Sequence, residues 1–322
     1  MNSPRPSYAS LPFGLRQLSS IRVLVDLTRT WALLVLCLVL AAHSNALQST
    51  VLILLIGTLQ YHLNILGHDG LHSNLFADRK WNDRVTRWWI LAPQAIPLKA
   101  IRASHLHHHR TLGQYEDRDK HYYDLTFFNR TSASGFTLWI IGTFLGGMFL
   151  PLISKVLRRG TAATDEPAKQ STSDRLSEWG PVLVAQSILF LFCWAVVGSI
   201  WAYAAFWFLP LVTFMFGFNS VRSCLEHVAV EATDSPNRNF SFKSSRVERF
   251  FFSPFNMNFH AEHHAYMSVP YHQLPALRRY LHANSMYGGL ILLPSYWQRF
   301  LEVRRALHSK ARRRVHGFAN GT

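Results

Sequence analysis

Five apolar runs of about 15 to 20 residues, at 30–47, 51–67, 135–154, 180–199 and 202–221, have the length of bilayer-crossing helices. The core of a soluble domain is built from shorter apolar stretches, so the chain reads as an all-α membrane protein. Its formal net charge of +15 collects in the N-terminal tail, the loops and the C-terminal tail. That bias orients a membrane protein with its basic loops inside. It also suits anionic lipid or an acidic protein partner, since charge alone identifies neither. Three domains follow: a polar tail at 1–28, an integral membrane domain at 29–300 and a basic tail at 301–322. No short apolar core with a cleavage site opens the chain, so the first apolar run is expected to stay in the membrane. Cys37, Cys193 and Cys224 lack C-x-x-C spacing and suggest neither disulfide framework nor zinc knuckle.

Histidines cluster where the apolar runs end. His68 and His72 form H-x-x-x-H; His105, His108 and His109 form H-x-x-H-H; His260, His263 and His264 repeat H-x-x-H-H; His227 follows the last run. Histidine is 17 of 322 residues, so one window matches H-x-x-H-H by chance about once in several thousand, and two matches argue for design. On a helix, positions i, i+3 and i+4 share a face, so each cluster aims its imidazoles together. Imidazole suits iron, zinc or copper. Nine ligands are too many for one such ion and enough for two with open positions. His62, His107, His121 and His272 are read either as ordinary packed histidines or as further participants.

Parity then limits the crossings. If the runs at 135–154, 180–199 and 202–221 all crossed, the third cluster would face the opposite side from the first two. One run must stay on its own side. Gly135, Gly142, Gly146, Gly147 and Pro151 mark 135–154 as a re-entrant or interfacial segment. Four crossings remain, with both termini inside and a cytosolic helical cap carrying the site. The polar link Gln48–Thr50 separates the first two spans; 88–98 is too short to cross and lies at the interface; 290–297 is short and lies at the surface.

A zinc hydrolase would need H-E-x-x-H, which is absent. A metal transporter would place ionisable groups mid-bilayer on paired halves, whereas these histidines sit at span ends and the halves differ. Asp69, Glu226 and Glu262 adjoin proposed ligands, and Asn256 and Asn258 precede the third cluster. They are read either as partners of the ligands' outer nitrogens and of water, or as ordinary polar packing. Lys99, Arg102 and Arg110 flank the second cluster, to hold an anionic head group or as positive-inside charges.

The stretches GHDGLHSNLF, RSCLEH and FNMNFHAEHHAYMSVPYHQLP, in that order between hydrophobic pairs, resemble the membrane fatty acid desaturase family. The resemblance covers roughly residues 50–285. It implies two non-haem irons held by His68, His72, His105, His108, His109, His227, His260, His263 and His264. It also implies O2-dependent desaturation of an acyl chain carried as lipid, acyl-CoA or acyl-carrier-protein, or hydroxylation of an acyl chain or carotenoid on the same core. The H-P-G-G of a fused cytochrome b5 is absent, so electrons are expected from a ferredoxin or free cytochrome b5. The surface implied is membrane lipid, not nucleic acid.

Overall fold

The structure, a computed structural model, describes residues 11–149, 172–230, 239–286 and 290–319; the side chains of Thr172, Ser173, Arg175 and residues 311–319 fall outside that description. Residues 1–10 of the polar tail, 150–154 of the third apolar run and the basic side chains beyond Lys310 therefore lie outside the described residues.

The chain is mostly helical. Its main elements are α1 (Ser20–Ala41), α2 (Ala46–Leu71), α3 (Arg79–Val85), α4 (Leu98–Thr111), α5 (Ala133–Phe144), α6 (Thr172–Val197), α7 (Phe216–His227), β1 (Phe240–Phe242), α8 (Arg246–Phe251), α9 (His260–Ala265), α10 (Leu274–Ala283), β2 (Ile291–Leu293) and α11 (Tyr296–Ala319). Among the described residues, four helical stretches are long and apolar enough to cross a membrane: Phe13–Ala41, Ala46–Leu71, Leu176–Val197 and Ala204–His227. The described residues form two compact units. The first is Arg16–Leu106 with Phe144–Phe218; the second is His107–Thr143 with Asn219–Thr322 and the residues up to Leu15.

The first helix starts ten residues before the expected 30, inside the segment assigned to a polar tail. Val23, Leu27, Thr30 and Leu34 repeat at helical spacing and are buried. Arg22 and Arg29, which break the apolar run in sequence, fall on exposed turns, and Arg29 pairs with Asp26 at 3.0 Å. The turn between α1 and α2 also falls earlier than expected. Asn45 accepts from the Gln48 amide at 3.0 Å while Gln48 Oε1 accepts from the Asn45 amide at 2.9 Å. This reciprocal cap starts α2 at Ala46 and places Gln48–Thr50 inside the helix, not in a link. Helix α6 begins at Thr172, before the expected 180, and ends where Gly198 takes φ +76. At Gly57 a methyl would lie 2.5 Å from Phe214 Cβ and 2.8 Å from the Pro210 carbonyl, so only glycine permits this approach of α2 to the fourth apolar helix.

The segment 88–98 has Ile90, Leu91, Ala92, Pro93 and Gln94 buried in the first unit, while its Trp88 and Trp89 are exposed. Its π-helical turn Thr86–Leu91 and 3-10 turn Ala92–Gln94 end at Ala95 in the left-handed region, so the local ladder cannot satisfy every carbonyl. Side chains do so instead. Gln186 Nε2 donates to the Ala92 and Pro93 carbonyls at 2.7 and 3.0 Å, and Trp207 Nε1 donates to Pro93 at 2.9 Å. Gln60 Nε2 in turn donates to the Trp207 carbonyl at 2.9 Å. Irregular backbone among apolar helices survives only with such partners.

Helix α5 holds twelve residues, shorter than a span needs, and Gly146 beyond it has φ +82. In the second unit, β1 and β2 pair in parallel, with Phe240 opposite Ile291 and Phe242 opposite Leu293. This small sheet corrects the all-α expectation, and it takes in part of the segment 290–297. Leu290 and Tyr296 are buried there, and Phe242 stacks on Tyr296 with ring centroids 3.9 Å apart. The expected basic tail at 301–322 is likewise the continuation of α11, whose Val303 and Leu307 are buried.

Candidate metal centre

In the first unit, α2 ends on His68 and His72, and α4 carries His105. His72 Nε2 lies 2.9 Å from His105 Nε2, and the His68 ring centroid lies 4.4 Å from that of His105. Arg102, one turn before His105, sets this geometry. Its guanidinium donates to the Leu71 and Gly70 carbonyls at 3.0 Å each and grips both oxygens of Asp83 at 2.9 and 2.6 Å. Arg102 therefore caps the carbonyl end of the helix bearing His68 and His72, a role that neither sequence reading of it anticipated. Burial, with the Arg102 charge nearby, lowers the His72 pKa to about 4, so its imidazole is neutral and ligand-competent at neutral pH.

Lys99 also does something else: its backbone amide donates to Glu178 at 2.9 Å and its ammonium lies 3.7 Å from the same carboxylate. Arg110 is exposed. Asp69 is fully buried between His68 and His72 in sequence.

In the second unit, α4 contributes His108 and His109, α7 ends on His227, and α9 presents His260, His263 and His264. Ala261 of α9 packs into an apolar cluster with Tyr266, Val269, Leu274, Leu277 and Leu281. That seats one side of α9 and leaves the i, i+3, i+4 set on another. His260 Nε2 is 2.9 Å from His227 Nε2, and His263 Nε2 is 3.2 Å from His109 Nε2. His108, His227 and His264 offer ligand atoms within 4.8 Å of one another. Burial, then the neighbouring His109, His260, His227 and His108, pushes the His264 pKa well below the usual imidazole value.

Three Nε2-to-Nε2 separations, of 2.9, 2.9 and 3.2 Å, have the spacing of an imidazole hydrogen bond and also of two rings sharing one ion. Two imidazoles on one ion at about 2.0–2.1 Å stand about 2.9–3.4 Å apart between octahedral and tetrahedral angles. All three pairs fall in that window. His264 Nε2 is buried without a hydrogen-bond partner among the described residues, as a nitrogen reserved for an ion would be. The donor set is all imidazole, which fits iron.

A carboxylate holds one of these rings from behind. Asp117, which the sequence reading missed, is buried and lies 2.9 Å from His108 Nδ1. Tyr123 Oη donates to the same oxygen, Oδ2, at 2.5 Å, and the Asp119 amide donates to Oδ1 at 2.9 Å. Burial works against the Asp117 charge, but the His108 and Tyr123 hydrogen bonds outweigh it and keep the pKa below the usual carboxylate value. The Asp117 carboxylate fixes the proton of His108 on Nδ1 and turns Nε2 toward the other imidazoles. Its only sequence signal was a charged stretch, EDRD, nine residues after His108. Asp117→Asn is expected to weaken metal affinity about 10- to 100-fold with the fold intact, read by chelator competition.

Glu226 sits among Arg222 at 3.1 Å, the Tyr296 hydroxyl at 2.7 Å and His260 Nε2 at 3.4 Å. Glu262 is bound by Arg278 and Ser241. Arg299 donates to the Val228 carbonyl at 2.7 Å, beside His227, and lies 4.2 Å over the Phe240 ring. Asn258 pairs with β1 instead: its Nδ2 donates to the Phe242 carbonyl and its own carbonyl accepts from the Phe242 amide, both at 2.8 Å. Asn256 donates to the Tyr271 carbonyl at 3.3 Å. His62, His107, His121 and His272 join none of the ligand groups among the described residues. His107 meets Thr111 at 3.1 Å and His121 lies against Tyr122.

Four long apolar helices together with clusters of imidazoles able to hold a metal ion describe a membrane protein with a candidate metal site. A family model described as Fatty acid desaturase matches residues 45–297, and the chain belongs to that family. No curated protein matches the chain.

Proposed function

We propose that the protein is an integral-membrane di-iron oxidase that desaturates an acyl chain, with its site on the cytosolic side. The facing Nε2 pairs carry this reading, on a chain whose family points to acyl-chain oxidation. Residues His68, His72, His105, His108, His109, His227, His260, His263 and His264 would hold the two irons. When bound, the iron pair supplies the oxygen-activating redox chemistry that no side chain can. The balanced reaction takes two hydrogens from adjacent methylenes, with O2, two electrons and two protons, and gives a cis or trans alkene and two waters. The electrons come from a separate ferredoxin or cytochrome b5-type donor.

The chain's own residues prepare the site. Arg102 locks the end of α2 against Asp83, which fixes His68 and His72 relative to His105. Asp117 holds the His108 proton on Nδ1, and Arg278 anchors Glu262 between His260 and His263. Such prior orientation saves reorganisation when the substrate binds.

Mass spectrometry of lipids from an expressing strain tests the reaction. Loss of two hydrogens from an acyl chain is expected. Gain of one oxygen would assign the protein to hydroxylation, and no change under supplied iron and reductant would overturn the oxidase reading.

A further inference from the structure

Helix α8, the end of β2 and the start of α11 meet in one exposed patch on the second unit. The Lys243 amide donates to the Leu293 carbonyl at 2.9 Å and the Ser244 amide to the Pro294 carbonyl at 3.2 Å. Glu248 ties the helices together, taking the Ser245 amide on Oε2 at 2.9 Å and the Trp297 amide on Oε1 at 3.2 Å. The patch is therefore built on ordered backbone. Two large apolar side chains stand open on it: Val247 is 67% exposed and Trp297 63%. Phe250, one turn after Val247, is exposed as well. Lys243, Arg246 and Arg249 belong to the same segments and are exposed, and none pairs with a carboxylate among the described residues. Three cations thus stand against Glu248, whose two oxygens each already accept an amide.

What covers such a patch follows from size and charge. A soluble protein partner needs about 800 Å² per side, from about 20–30 residues, and must repay the freedom lost on association. Three open apolar side chains do not supply that. A bilayer surface asks for less. The second unit begins within the apolar stretch Ala204–His227, which is long enough to cross a membrane, so contact with the same bilayer is intramolecular and needs little area. Tryptophan settles at head-group level, and basic residues beside aliphatic and aromatic ones are the composition of interfacial segments. Unneutralised cations select anionic lipid over zwitterionic. We propose that this patch docks on the head-group layer of an anionic bilayer: Val247 and Trp297 enter the layer, and Lys243, Arg246 and Arg249 meet its negative charge. No histidine takes part, so the inference stands apart from the oxidase reading.

The test uses the full-length, iron-loaded protein with Val247→Cys, labelled there with an environment-sensitive NBD fluorophore. Cys37, Cys193 and Cys224 are buried, and parent protein treated alike gives the background. Nanodiscs of phosphatidylcholine are compared with nanodiscs that also hold phosphatidylglycerol. Blue-shifted emission is expected in the phosphatidylglycerol discs and should fade at about 0.5 M salt. Lys243→Gln or Arg246→Gln should each lower the ratio of docked to undocked protein about fivefold. Water-like emission in both discs would overturn the proposal. So would an equal shift in both, which would mean apolar insertion without charge selection, or a shift that appears only on adding poly-glutamate, which would assign the patch to an acidic protein. Should Val247→Cys lower helicity, the same label at Trp297→Cys carries the test. Iron content and lipid product report on the oxidase reading separately, so either failure is recognisable by itself.

Discussion

Alanine at His263 is expected to abolish turnover while the protein still inserts and is extracted at normal yield. His263 Nε2 stands 3.2 Å from His109 Nε2, and the ring is fully buried on α9. Removing it leaves His109 facing empty space and an ion short of one ligand. A loss of at least about a thousandfold, roughly 4 kcal/mol of transition-state stabilisation, is the expected scale. Alanine at His105 should do the same from the first unit, because His105 Nε2 is the 2.9 Å partner of His72 Nε2. The check is product formation per extracted protein, with iron measured in the same samples. Near-normal product from either variant would remove that histidine from the ligand set.

Arg278→Met is expected to have the largest effect on stability. Glu262 is fully buried and Arg278 nearly so, and the two are joined directly. Taking the guanidinium away strands a carboxylate in the interior with the Ser241 hydroxyl as its remaining named partner. Breaking a buried ion pair from one side costs about 3–5 kcal/mol, a large part of the about 5–15 kcal/mol that holds a typical domain together. Because Glu262 lies between His260 and His263 on α9, metal retention should fall together with the unfolding temperature. The double variant Arg278→Met with Glu262→Leu should be less damaged than Arg278→Met alone, since a pair removed whole leaves no stranded charge. Thermal unfolding in detergent reads all three proteins. A single variant as stable as the parent would show that the pair contributes nothing.

The histidine clusters were legible in the sequence because their geometry is local. H-x-x-x-H and H-x-x-H-H place imidazoles on one helical face whatever the rest of the chain does. The apolar runs were legible for the same reason, although their ends were not. Gln48 looks like a link residue until its reciprocal bond with Asn45 is seen. Within the segment 88–98, the donors that satisfy the Ala92 and Pro93 carbonyls come from Gln186 and Trp207, about a hundred residues later, which nothing local announces. The residues packed around the histidine clusters were mostly hidden, since their partners are distant in sequence. Asp117 is nine residues from His108, Arg102 is 31 from Leu71, and Tyr296 is 70 from Glu226. No periodicity announces such pairs, because only folding brings them together. Arg102, read beside a histidine cluster as a head-group site or a topogenic charge, also caps a helix, which its neighbours in sequence do not show. Strand β2 shows the converse, since ILL is too short to separate strand from loop until Phe240–Phe242 lies alongside.

The most direct test is the metal itself. Iron per chain, counted after anaerobic reconstitution and removal of loose metal, with the Mössbauer spectrum of the same sample, should give two high-spin irons in nitrogen-rich surroundings. One iron per chain, or zinc retained in preference to iron, would contradict the binuclear assignment.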